Sequence, residues 1–189
     1  AGKSTLLHTV SRLIDPDEGE ILIDGHNLAK SSLSSIRRVI GVVSPDLPLM
    51  RGSIGYNLRY RWRDAPEEEI EKIKELCGVN EMIDSFENGE KYRLQEGGQN
   101  LSLGQRHRLA LARAILGDPS VLILDEIDAN LDPQAATVFD RVIDNFPGTV
   151  LMVTRAETRL NRADVIWHMQ DGEIVEAESV LKNDLSARS

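Results

Sequence analysis

Cysteine, aromatic residues and long apolar runs are all scarce in this chain, and basic residues are outnumbered. The single cysteine, Cys77, excludes an internal disulfide and fits a reducing compartment. Only 4% of the residues are aromatic, and the two tryptophans, Trp62 and Trp167, read as packing residues rather than as platforms for stacked bases. The most apolar runs, 121–124 and 150–153, fall far short of the roughly 20 residues of a membrane helix. Any membrane association must then come from a partner or from sequence outside this chain. Nothing at the N-terminus resembles a secretory leader. With 31 acidic against 22 basic side chains, the formal net charge is −9, so no general nucleic-acid surface is expected, although a local basic patch remains compatible with that total. His8, His26, His107 and His168 show no metal-ligand spacing. There is no internal repeat and no low-complexity segment.

What is present is enough chain, 189 residues, for one domain with a substantial core. Its organising stretch is 101–132, LSLGQRHRLALARAILGDPSVLILDEIDANLD. Ser102 can cap a helix whose apolar positions Leu109, Ala112 and Leu116 recur at helical spacing. Gly117 and Pro119 stop it. Residues 121–124 read as a fully buried strand, which belongs in a parallel sheet covered on both faces. Asp125 and Glu126 then stand at the carboxyl end of that strand, where open α/β sheets bind ligands.

The chain opens with AGKST, the last part of the phosphate-binding pattern GxxxxGK[ST]. In that geometry backbone amides at a helix N-terminus cradle phosphates, Lys3 supplies a point charge and the Ser4 hydroxyl reaches Mg²⁺. Because the pattern is cut at Ala1, the chain is expected to be a piece of a longer protein. The first half of the loop and the strand before it would lie outside, and this piece alone is expected neither to fold well nor to bind ATP tightly.

Along the chain, the patterning predicts a helix over 4–14 and a short strand over 20–24 closed by Asp24-Gly25. A serine-rich helix then leads into a buried strand at 39–43. Residues from Ser44 onward, with the Arg59, Tyr60, Arg61, Trp62, Arg63 cluster, read as an exposed excursion, facing either solvent or a partner or lipid surface. A helix follows with Asp64 as cap, Pro66 in its first turn, Ile70, Ile73 and Leu76 or Cys77 inward, and Gly78 at its end. Further helices are expected near 81–86 and from Pro133, a buried strand at 149–154, and a hairpin turning at 170–172.

Taken together, AGKST, LSLGQRHRLALARAIL, VLILDE and ANLD, in that order, resemble the ATP-binding domain of ABC transporters over nearly the whole chain. Residues 94–98 and 49–54 are similar to exporter segments. The resemblance implies an α/β fold: a P-loop NTPase core with a mostly parallel sheet and an inserted α-helical subdomain. The expected division is core at 1–56, helical subdomain with the signature loop at 57–116, core again at 117–178, and a tail at 179–189. It also implies ATP and Mg²⁺ as ligands. Gly2, Lys3, Ser4 and Thr5 would bind nucleotide, Ser4 and Asp125 would hold the metal, and Glu126 would orient or deprotonate the attacking water. Ser102, Leu103, Gly104 and Gln105 form the signature loop, which would act in trans on the nucleotide of a second ATP-binding domain, identical or not. Asp132 stands at the D-loop position and would cross that interface. A transmembrane domain in the same or another chain is the other implied partner, placing this domain at the cytoplasmic face of a membrane; no nucleic acid is expected.

Three positions depart from the family pattern. Leu103 replaces a signature glycine, putting a side chain where backbone should approach ATP. Pro45 stands at the Q-loop glutamine position unless the register slips by one; Ser44 and Asp46 are both candidates to substitute. Arg155 occupies the switch-loop histidine position, and is either a phosphate ligand or a surface ion-pair residue. Three functions follow: an exporter ATPase, a degenerate ATP clamp or regulator with slow hydrolysis, or a soluble family member without a transport role.

Overall fold

In the computed structural model, which describes residues 1–45, 48–128 and 131–180, the chain begins with a helix, α1 (Lys3–Val10). The helix expected over 4–14 ends early because the backbone turns left-handed at Arg12 (φ 53°). That turn sends the Arg12 guanidinium to the carbonyls of Leu28 and Ser31. A short antiparallel hairpin, β1 (Leu22–Ile23) and β2 (His26–Asn27), turns at Asp24 and Gly25, both at positive φ as a two-residue hairpin loop requires. Ser32 caps α2 (Leu33–Val39) by accepting from the Ser35 amide, and β3 (Ile40–Val43) follows directly. Next, β4 (Gly52–Ser53) leads into three helices, α3 (Ile54–Leu58), α4 (Glu67–Leu76) and α5 (Val79–Asp84), and β5 (Arg93–Leu94) returns to pair with β4. The order ends with α6 (Leu103–Ile115), β6 (Val121–Asp125), α7 (Pro133–Asn145), β7 (Thr149–Val153), α8 (Glu157–Leu160) and the hairpin β8 (Val165–Gln170), β9 (Glu173–Ser179).

The central sheet is parallel, in the order β3-β6-β7, with Val43 opposite Leu124 and Asp125 opposite Val153. Alternate residues of β6 serve two cores. Leu122 and Leu124 join one built with α3 to α7, while Val121 and Ile123 join another with Leu7 of α1, Leu28 and Ile36. This covering of both faces is why the strand reads as a continuous apolar run. Complete burial of Leu122 alone is worth about 1.5–3 kcal/mol. The fold is the expected one, helices packed around a parallel sheet whose middle strand ends in acids.

Local expectations fail in three further places. β7, expected as a buried strand, has Thr149 exposed and only Val153 buried. Asp64 does not cap α4: Pro66 occupies the cap position, no side chain caps, and Glu67, Glu68 and Glu69 complement the amides of the first turn instead. The inward residues Ile70, Ile73 and Cys77 are as expected. Burial pushes the Cys77 thiol up to about 12, so it stays protonated and unreactive. The cluster at 59–63 is not simply an exposed excursion either. Arg61 turns inward and donates to the carbonyls of Ile40 and Ala114 at 2.8 and 2.9 Å, and Arg59 pairs with Glu90 and Glu67. Tyr60 is half exposed, and Trp62 is 40% exposed.

Similar clamps hold α6. It is buried around most of its circumference beyond Arg108, so its two inward arginines reach backbone oxygens rather than water: Arg108 meets the Gly78 carbonyl and Arg113 the Pro48 carbonyl, at 3.2 and 3.0 Å. Each guanidinium is thereby given a backbone carbonyl as acceptor, which a buried charged group needs.

Candidate nucleotide site

At the carboxyl end of the sheet, the start of α1 meets the end of β6. Gly2 holds the turn into α1 at φ 86°, a left-handed conformation costly for other residues. Lys3 has no hydrogen bond or ion pair among the described residues, so its ammonium is free to meet an anion. The Ser4 hydroxyl donates to Asp125 Oδ1 at 3.3 Å, and Asp125 is 5% exposed. Two hard oxygens this close, one of them ionised, match adjacent ligands of an octahedral Mg²⁺, whose metal–oxygen distance of about 2.1 Å separates neighbouring ligands by about 3 Å. The donor set therefore fits Mg²⁺. Thr5 is exposed beside Ser4 on the first turn.

Glu126 follows Asp125 directly, and its backbone is left-handed at φ 49°. For a glutamate this conformation costs about 1–3 kcal/mol, a strain that clusters at functional sites. It is held by the Glu126 amide, which donates to the Val153 carbonyl at 3.1 Å. The effect is to turn the carboxylate off the strand axis into the open, at 45% exposure. Arg155, just past β7, approaches it at 3.5 Å while remaining 86% exposed. An ion pair this long and solvated is worth about 0–1 kcal/mol.

The loop at 102–105 is built differently. Ser102 Oγ accepts from the Gln105 amide and Gln105 Oε1 accepts from the Ser102 amide, a reciprocal cap that fixes the start of α6. The Ser102 hydroxyl hydrogen is still available to donate outward. Leu103 projects at 40% exposure. Gly104 is buried, and a Cβ there would lie 2.5 Å from Asp132 Oδ2. Asp132 itself caps α7, Oδ1 accepting from the Ala135 amide at 2.8 Å. Within one chain, then, Asp132 packs on the signature loop, a role its spacing in the sequence did not suggest. Among the described residues no hydrogen bond or ion pair joins 102–105 to Lys3, Ser4, Asp125 or Glu126.

Pro45 is exposed two residues beyond β3, next to the buried Ser44. Asp46, Ala129, Asn130 and the end of the tail, 181–189, lie outside the described residues.

The comparisons decide the family. The family model described as ABC transporter matches residues 1–129. This chain belongs to the ABC transporter family. The domain is 38% identical over 181 residues to ABC transporter B family member 21 of Arabidopsis thaliana, covering 95% of this chain and 14% of that protein. It is 35% identical over 179 residues to the ATP-dependent lipid A-core flippase of Escherichia coli K12, covering 93% of this chain and 31% of that protein. A solved bacterial Atm1-family ABC exporter with ATP bound matches with a TM-score of 0.86 and 28% identity, over 95% of this chain and 32% of that one. The ABC domain thus spans at most about a third of these relatives. The resemblance to exporter ATP-binding domains is borne out, and with it a P-loop NTPase fold and nucleotide binding. Among the described residues no helix is long and apolar enough to cross a membrane.

Proposed function

We propose that this chain is the ATP-binding and ATP-hydrolysing domain of an exporter, working in a head-to-tail dimer that drives transport through membrane domains carried outside it. The observation that carries the reading is the convergence of Ser4, Asp125 and Glu126 where α1 meets the end of the central strand. In this reading the core at 1–56 and 117–178 binds nucleotide, and the helical part at 57–116 presents the signature loop to a second ATP-binding domain. The site would face the cytoplasm.

Phosphoryl transfer to water is mostly positioning and charge stabilisation. Lys3 and the first amides of α1 hold the phosphates, with Gly2 shaping the turn and Thr5 beside them. Ser4 and Asp125 would hold Mg²⁺, and the ion would supply positive charge against the negative charge developing on the phosphate oxygens. Glu126 orients the attacking water and accepts its proton, a contribution of about 10²–10⁴ in rate for a positioned base. From the second domain, the Ser102 hydroxyl and the amides at Leu103 and Gly104 meet the γ-phosphate; Gln105 serves by fixing the cap, and Asp132 by holding the loop from behind.

A second reading, a clamp that binds ATP and hydrolyses it slowly, is favoured by two observations. Arg155 engages Glu126 at 3.5 Å, and Leu103 projects from the loop that should meet ATP. Steady-state ATPase assays of the full-length protein separate the two. Turnover ordinary for the family, reduced by about 10²-fold or more in Glu126→Gln, supports the enzyme. Slow turnover that Glu126→Gln leaves unchanged would instead establish the clamp.

A further inference from the structure

A buried carboxylate that this chemistry does not use sits two residues beyond Glu126. The Asp128 side chain is 5% exposed. Thr154 Oγ1 donates a short hydrogen bond to Asp128 Oδ2 and also accepts from the Ala156 amide at 3.0 Å. These two bonds flank Arg155 and fix the backbone on both sides of it. Arg159 closes the arrangement from α8: Nη1 lies 3.5 Å from Asp128 Oδ2, and Nε lies 3.4 Å from Asp140 Oδ1 of α7. The second contact is close enough to be an ion pair but is not aligned as a hydrogen bond. The Arg159 guanidinium also covers the Phe139 ring at 4.9 Å.

A carboxylate is this deeply buried only when its charge is compensated. Here both compensating groups, the Thr154 hydroxyl and the Arg159 guanidinium, belong to the segment that carries Arg155. The exposed Arg155–Glu126 pair holds a long side chain only weakly; what confines Arg155 is its backbone.

We propose that Asp128 is a positioning residue. With Arg159 it latches the segment 154–156 to the loop that carries Glu126, and so sets where Arg155 stands beside Glu126 during turnover. The catalytic half of this inference rests on the ATPase reading above; the latch itself does not.

Two measurements on the full-length protein test it. The first is amide hydrogen exchange without nucleotide, which needs no activity: Asp128→Asn raises exchange across 154–156 by about tenfold. The second is a double-mutant cycle in steady-state ATPase with Arg155→Ala. Asp128→Asn lowers kcat by about tenfold at unchanged KM, and by less than about twofold once Arg155 is alanine. Thr154→Val, which keeps shape and leaves the Asp128–Arg159 pair intact, shows both effects and serves if Asp128→Asn folds poorly. Unchanged exchange overturns the latch whatever the ATPase does. A tenfold loss of kcat that persists in the Arg155→Ala background overturns the positioning role. A wild type with no ATPase sinks the enzymatic reading, and the positioning role with it, while exchange still decides the latch.

Discussion

The strand-end acids and the signature loop lie on one run of sequence, yet the two sites they belong to are held in opposite ways. At the strand end, the side chains that would meet ATP are under-engaged. Lys3 has no partner among the described residues, Ser4 and Asp125 touch at a long 3.3 Å, and Glu126 is bound to Arg155 only through solvent-exposed atoms. At the signature loop the framework is already fixed, through the reciprocal Ser102–Gln105 cap and the packing of Gly104 on Asp132, which leaves the Ser102 hydroxyl hydrogen and the amides of Leu103 and Gly104 to meet a ligand. On the function proposed above, the difference follows from what each would have to do. Groups that ligate a metal and phosphates need spare bonding capacity, whereas a loop that meets a nucleotide from the other side of an interface needs its donors aimed beforehand. Two of the departures from the family pattern divide along the same line: Arg155 stands beside Glu126 at the open site, and Leu103 projects from the preset loop.

The sharpest way to break that contrast is to disturb the packing behind the preset loop. Gly104→Ala places a methyl group 2.5 Å from Asp132 Oδ2. Asp132 cannot swing aside without giving up the cap on α7, itself worth about 0.5–2 kcal/mol. The better helix propensity of alanine offsets part of this, up to about 1 kcal/mol. The domain should lose about 1–2 kcal/mol, seen as a fall of roughly 2–8 °C in the thermal transition. Leu103→Ala, at a side chain that faces outward, should leave the transition nearly where it was. Equal transitions for the two variants would mean that the loop is not held from behind.

How far the sequence disclosed this depends on the range of each interaction. The acid pair, the Ser102 cap and the turns at Asp24-Gly25 and Asp171-Gly172 are local chemistry, and each stands where the pattern places it. The buried strand was legible because its neighbours on both faces are apolar. The inward arginines were not. Arg61 looks like one member of a surface cluster, and its partner Ala114 lies 53 residues away. Arg113 reaches a carbonyl 65 residues distant. Asp128 and Arg159 carry no local pattern, and only the fold buries them against each other; a cap aspartate such as Asp132 gives no sign that a glycine from another helix packs on it. Long-range use of charge on backbone carbonyls leaves no periodicity to read.

A smaller effect, in activity rather than stability, comes from the residue that breaks the pattern at the preset loop. Leu103→Gly removes the outward side chain from the position where backbone should approach ATP, and ATPase activity of the full-length protein should rise several-fold. No change would shift the limit on turnover to Arg155 or Pro45.

The smallest expected effect lies where the signature helix meets Asp132, at His107. Its Nδ1 is buried without a hydrogen-bond partner among the described residues. Burial, reinforced by Arg106 and only partly opposed by Asp132, holds the imidazole below its ordinary value of 6.5. The sign follows from linkage. Above about pH 6.5 the ring is neutral in both folded and unfolded chains and costs nothing. As pH falls below that value the unfolded chain takes up the proton first, so stability is lost progressively until the folded ring protonates as well. His107→Gln has no proton to gain and should flatten the stability profile as pH falls below about 6.5 in denaturant titrations, while leaving stability at pH 8 little changed. A profile as steep in His107→Gln as in the wild type would place the acid sensitivity elsewhere. A flattened one would show that burial in the rigid half of the site excludes the His107 charge even with the Asp132 carboxylate nearby.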